Sequence, residues 1–80
     1  MLYNMVALNE RQVRKLRPGD FVYYKERDGQ LSSHLYEATV LEKYPRFVLL
    51  ECQANIDGTT FKTCYNYNDT VEYSGYRLYQ

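Results

Sequence analysis

Tryptophan is absent from this chain of 80 residues, and cysteine (two), proline (two), histidine (one) and glycine (four) are scarce. Each scarcity excludes something. Two cysteines cannot build the disulfide framework of a small secreted scaffold. With the lone His34 they also fall short of a four-ligand zinc set. Charge of one sign is missing too. Ten Lys and Arg balance ten Asp and Glu, so the overall field draws the chain to neither nucleic acid nor an acidic membrane surface. No apolar run reaches the roughly 18 residues of a membrane span, and Met1–Leu8 lacks the basic n-region and long h-region of a secretory signal. A cytoplasmic chain with no membrane partner is expected. Internal repeats, low-complexity stretches and linkers are lacking as well, so residues 1–80 read as one domain.

What is present is a globular composition, 45% hydrophobic and 25% charged, with ten tyrosines. Tyrosine favours strands and gives a half-buried surface a polar tip. Leu2–Leu8 reads equally as a first strand or an early helical turn. Asn9-Glu-Arg-Gln12 is a helix start, a capping box with Gln in the fourth place. Val13 and Leu16 share a face, and Arg14, Lys15 and Arg17 fall where positive charge suits the helix dipole. Pro18 stops the helix, which is predicted near residues 10–16.

Strand-like segments then follow at Phe21–Lys25, Leu35–Tyr44, Phe47–Cys52, Phe61–Tyr65 and Val71–Tyr73, with Ala38 and Val40 as core candidates. Phe47-Val-Leu-Leu-Glu-Cys52 is nearly continuous in apolar residues, the mark of a central strand covered on both faces. Asp28-Gly29 and Asp57-Gly58 signal turns, Asn66–Thr70 is rich in turn formers, and Tyr76–Gln80 either pairs again or lies over the mouth. A two-residue turn at Asp28-Gly29 would put Val22 out of phase with Ala38 and Val40. Either a β-bulge intervenes or the loop is longer than two residues, with Gln30–His34 in it; the longer loop is preferred, and the core face of the first strand stays open. The fold class is all-β: a small five-stranded barrel with a short N-terminal helix.

Leu16-Arg-Pro-Gly-Asp-Phe-Val22, then Tyr36-Glu-Ala-Thr-Val-Leu41, Tyr44-Pro-Arg-Phe-Val-Leu-Leu50 and Tyr65-Asn-Tyr-Asn-Asp69, resemble SH3-like barrel proteins of the KOW and Tudor type. The chain is also similar to short accessory proteins of bacterial phages and mobile elements, especially in Firmicutes. The resemblance spans roughly residues 12–72. It implies an SH3-like barrel, a binding role such as an accessory or counter-defence protein, and no catalytic residues. The chain lacks the basic excess of RNA-binding KOW domains.

Two surfaces compete for that binding role. One is aromatic: Tyr23, Tyr36, Tyr65, Tyr67, Tyr73 and Tyr76. A barrel this small cannot bury ten tyrosines, and clustered exposed aromatics signal contact with a protein partner or a second copy of the chain. The other is a basic stripe, Arg11, Arg14 and Lys15 at helical spacing with Arg17 nearby. It reads either as phosphate-contacting, for single-stranded nucleic acid, or as a solvated helix face with Glu10 beside it. The solvated reading is preferred, and nucleic acid is the alternative function. Cys52 and Cys64 lie directly opposite if the intervening loop has three residues and on different faces if it has two; as buried reduced thiols they need no ligand. His34 is read as a loop residue. No nucleophile elbow, phosphate loop or metal-ligand set is present, so no enzyme activity, no metal and no cofactor are expected.

Overall fold

Asn9 opens the helix. Its side-chain oxygen accepts from the Gln12 amide at 2.8 Å, and the Gln12 side chain accepts from the Asn9 amide at 2.9 Å, so two otherwise orphaned donors are satisfied reciprocally. A computed structural model describes residues 6–28, 32–54, 57–67 and 76–80, and in it helix α1 is a short one, Glu10–Arg14. Val13 from the helix and Leu16 just beyond it are both buried. Gly19 then takes φ of 96°, a left-handed conformation that glycine alone adopts without penalty from a Cβ. The Asp20 carboxylate accepts from the Arg17 amide at 2.8 Å, closing the turn that feeds the first strand.

The strands are β1 (Phe21–Asp28), β2 (Ser32–Lys43), β3 (Phe47–Gln53), β4 (Thr60–Asn66) and β5 (Tyr76–Tyr79). They make one antiparallel sheet in the order β4-β3-β2-β1-β5. Residues 6–8 run extended along the far edge of β5. The Leu8 amide donates to the Leu78 carbonyl at 2.8 Å, and Val6 and Gln80 exchange bonds of 3.1 and 3.0 Å. The segment left open as strand or helix therefore pairs as a strand over its described part. Tyr76–Gln80 pairs as well, whereas Val71–Tyr73, expected as a strand, lies outside the described residues.

The register between β1 and β2 settles the first strand's core face. Val22 faces Ala38, Tyr24 faces Tyr36, and Asp28 faces Ser32, so the connection spans residues 29–31 and is longer than two residues. Val22 and Tyr24 are buried, while Phe21 is 48% exposed. His34 belongs to β2 rather than to the loop, because both strands run further into the hairpin than their apolar residues suggested. A bulge between Val40 and Glu42 shifts the pairing with β3, and after it Lys43 lies opposite Val48.

Strand β3 corrects the reading of a segment covered on both faces. Val48, Leu50 and Cys52 are fully buried, but Phe47, Leu49 and Glu51 are only half-buried. The alternation shows one packed face and one partly open to water.

The sheet bends far enough that its edges approach. The Tyr65 hydroxyl on β4 donates to the Tyr76 carbonyl on β5 at 3.3 Å, and the Tyr65 ring meets Tyr24 edge-on at 6.3 Å. Among the described residues no ladder joins β4 to β5. The architecture is thus mostly β with one short helix, as expected, but the sheet is open and does not close into the expected barrel. Its concave face holds the core, and α1 packs Val13 and its neighbour Leu16 into that core. No helix among the described residues is long and apolar enough to cross a membrane.

Candidate interaction surfaces

Strand alternation decides which tyrosines can act together. Tyr24, Tyr36 and Tyr76 all fall on the concave face, because Tyr24 pairs with Tyr36 across β1–β2 and Tyr76 pairs with Glu26 across β1–β5. Their rings form a row: Tyr36 lies 6.3 Å from Tyr24 at 24°, and Tyr76 lies 6.3 Å from Tyr24 on the other side at 12°. Phe61 of β4 abuts Tyr36 edge-on at 5.1 Å, and His34 does so at 6.1 Å. The row sits at the end of the sheet away from α1. Tyr76 is 39% exposed and Tyr36 is half-buried, while Tyr24 between them is buried, so the two outer rings are the ones a partner can reach.

A crevice of about 220 Å³ opens beside this row, lined by Tyr24, Glu26, Thr63, Cys64 and Tyr76. Burial, reinforced by the charge of Glu26, pushes the Tyr24 phenol well above its usual range, against a hydrogen bond with Thr63. The phenol therefore stays neutral and the one formal charge in the crevice wall is that of the carboxylate. Aromatic edges and faces with a carboxylate beside them suit an apolar group carrying positive charge.

The six predicted tyrosines do not converge. Tyr36 and Tyr76 join the row. Tyr65 and Tyr67 are buried, with their hydroxyls donating to the Tyr76 and Tyr44 carbonyls at 3.3 and 3.1 Å, so neither ring forms an exposed stacking platform. Tyr23 lies on the opposite face of the sheet, edge-on to Phe21 at 5.1 Å. Tyr73 lies outside the described residues. Sequence reasoning missed Tyr24, Glu26 and Phe61. The alternation of β1 would have given the first two, had the hairpin length been legible.

Of the basic stripe, Arg14 is engaged. Its Nε is 2.9 Å from a Glu10 carboxylate oxygen, and its guanidinium lies 4.3 Å from the centre of the Tyr67 ring. Arg11, Lys15 and Arg17 are exposed, which both readings of the stripe require.

The cysteines occupy opposite faces. Cys52 pairs with Phe61 and Cys64 with Leu49, so the loop between their strands is longer than either length considered from sequence. Both thiols are free, Cys52 buried and Cys64 exposed. Burial, aided by the Glu26 charge, pushes the Cys52 thiol from 9.0 up to about 11. Iodoacetamide at mild alkaline pH should therefore add one label to the native protein, on Cys64, and a second only after denaturation; intact-mass spectrometry reads both. The raised value in the fold also has a thermodynamic sign. Its contribution to stability is complete below about pH 9 and is lost as pH rises through about 11. Urea midpoints should hold to pH 9 and fall above it, with Cys52→Val flattening part of the fall.

No group of three His, Cys, Asp or Glu side chains placed to hold a metal occurs among the described residues. No family model, curated protein or solved structure matches this chain.

Proposed function

We propose that the chain is a non-enzymatic, SH3-like protein-interaction module, and that the tyrosine row with its carboxylate is where a partner protein docks. The observation that carries this reading is the placement of Tyr36, Tyr24 and Tyr76 by three adjacent strands into one near-parallel row, with Glu26 at its side. Aromatic side chains are enriched in the centres of protein interfaces, and they bury large areas at little entropic cost. The carboxylate selects a partner that presents Lys or Arg to the crevice. An accessory or counter-defence role in a phage or mobile element fits such a module and rests on the sequence resemblance alone.

Affinity capture with the tagged chain, compared with its Tyr76→Ala and Glu26→Gln variants, tests the proposal. Tyr76 is a partly exposed rim residue, so its truncation leaves the core intact. The expected result is a defined partner that is lost with Tyr76→Ala and weakened at least tenfold with Glu26→Gln, on the order of a central interface residue. A partner retained equally by both variants would place the binding surface elsewhere. Light scattering after size exclusion identifies a second copy of the chain as the partner, if a dimer forms and Tyr76→Ala dissolves it.

A further inference from the structure

The neutral charge of the whole chain conceals a strongly uneven distribution. Helix α1 is only five residues long, about 7 Å at 1.5 Å per residue, so Arg11, Arg14, Lys15 and the nearby Arg17 are crowded together. The fold then brings a second set of cations from a distant part of the sequence. Lys43, at the end of β2, donates from its Nζ to the Arg14 carbonyl. Arg46, in the β2–β3 turn, accepts from the Tyr67 amide at 3.1 Å, and the Tyr67 ring carries the Arg14 guanidinium. Among the described residues, one end of the molecule thus gathers six cations against three carboxylates, Glu10, Asp20 and Glu42.

The same end exposes an aromatic pair. Tyr44 stacks on Phe47 at 4.7 Å and 23°, and Tyr44 is 38% exposed. Its hydroxyl donates to Glu42, which turns that carboxylate toward the ring rather than toward the arginines. Tyr67 bonds to the Tyr44 backbone carbonyl, not to its side chain.

We propose that this pole binds single-stranded nucleic acid, with Arg11, Arg14, Lys15, Lys43 and Arg46 along the phosphates and a base stacked on Tyr44. Charge complementarity favours a polyanion, and the exposed stacked ring beside the cations favours one that carries bases over an acidic peptide. The site lies at the opposite end of the strands from the tyrosine row. It goes beyond the protein-docking reading and does not depend on it.

Fluorescence anisotropy with a labelled mixed-sequence single-stranded 12-mer, RNA and DNA in parallel, tests the proposal across a salt titration. Binding should weaken steeply with salt. Arg11→Gln and Arg46→Gln should each flatten the dependence of log K on log salt by about 0.7, the value for one single-strand phosphate contact. Tyr44→Ala should lower affinity about fivefold or more, as loss of a stacked base does, and leave the salt slope alone. Lys62→Gln on β4 should change neither. All these positions are at least partly exposed, and matching urea midpoints confirm that the variants fold. Absent or salt-insensitive binding, full binding by the Arg11→Glu/Arg46→Glu double variant, or displacement by polyglutamate at lower charge concentration than by unlabelled oligonucleotide would each overturn it.

Discussion

Truncating Tyr65 to alanine should remove about a third or more of the chain's stability at 25 °C. The side chain is fully buried, meets Tyr24 edge-on, and carries the hydroxyl that joins β4 to β5. Removing a buried aromatic ring costs about 3–5 kcal/mol, while a domain of this length has roughly 4–12 kcal/mol in total. Tyr65→Phe separates the two contributions. It keeps the ring and removes one partly buried hydrogen bond, for about 0.5–1.5 kcal/mol. Urea unfolding followed by far-UV circular dichroism measures both. A Tyr65→Ala protein with a near-native midpoint would mean that the two edges of the sheet do not depend on this side chain.

The second large effect discriminates between neighbours on β3. Leu50→Ala should cost about 2–5 kcal/mol, since a fully buried leucine leaves a cavity its surroundings fill only in part. Leu49→Ala, one residue away and half-buried on the other face, should cost about half of that or less, because less apolar area leaves water in its folded state. Chemical denaturation of the two variants under one set of conditions gives the comparison. Equal losses would imply that a second layer covers the outer face.

Much of the fold was legible where the signal is local. Asn9 and Gln12 announced a capping box, and Pro18 announced the end of the helix. Both follow from chemistry within a few residues. The alternation of β2 was legible because Ala38 and Val40 fit a buried face. What could not be read depended on pairing. The parity of β1 turned on the length of the connection at residues 29–31, and with it went the identity of Tyr24 and Glu26 as neighbours of Tyr36. The bulge after Val40 has no sequence mark, yet it decides that Lys43 reaches back to α1. Tyr44 ended one predicted strand and Arg46 lay before the next, and neither marked a site in isolation. They became part of a basic surface only when Tyr67, about 20 positions away, packed between them and Arg14. Open or closed, the sheet's topology is likewise set by long-range contacts that composition does not encode.

The hydrogen bonds between Val6 and Gln80 bear on how the protein is made. The first described residues share an edge with the last ones, and β5 is held between them and β1. During synthesis, residues 6–8 therefore emerge with no partner and keep none until residues 76–80 have left the ribosome. At roughly 5–20 residues per second that wait lasts on the order of 4–15 seconds. Closing a loop across nearly the whole chain adds little entropic cost over a shorter one, but the contact cannot form early. Until then Leu8 and Leu78, both destined for the core, lack each other's cover, and the β1 edge that β5 will take is open. Nascent chains stalled before residue 76 should thus be the species that chaperones hold, and emergence of residues 76–80 is the event that seals the sheet.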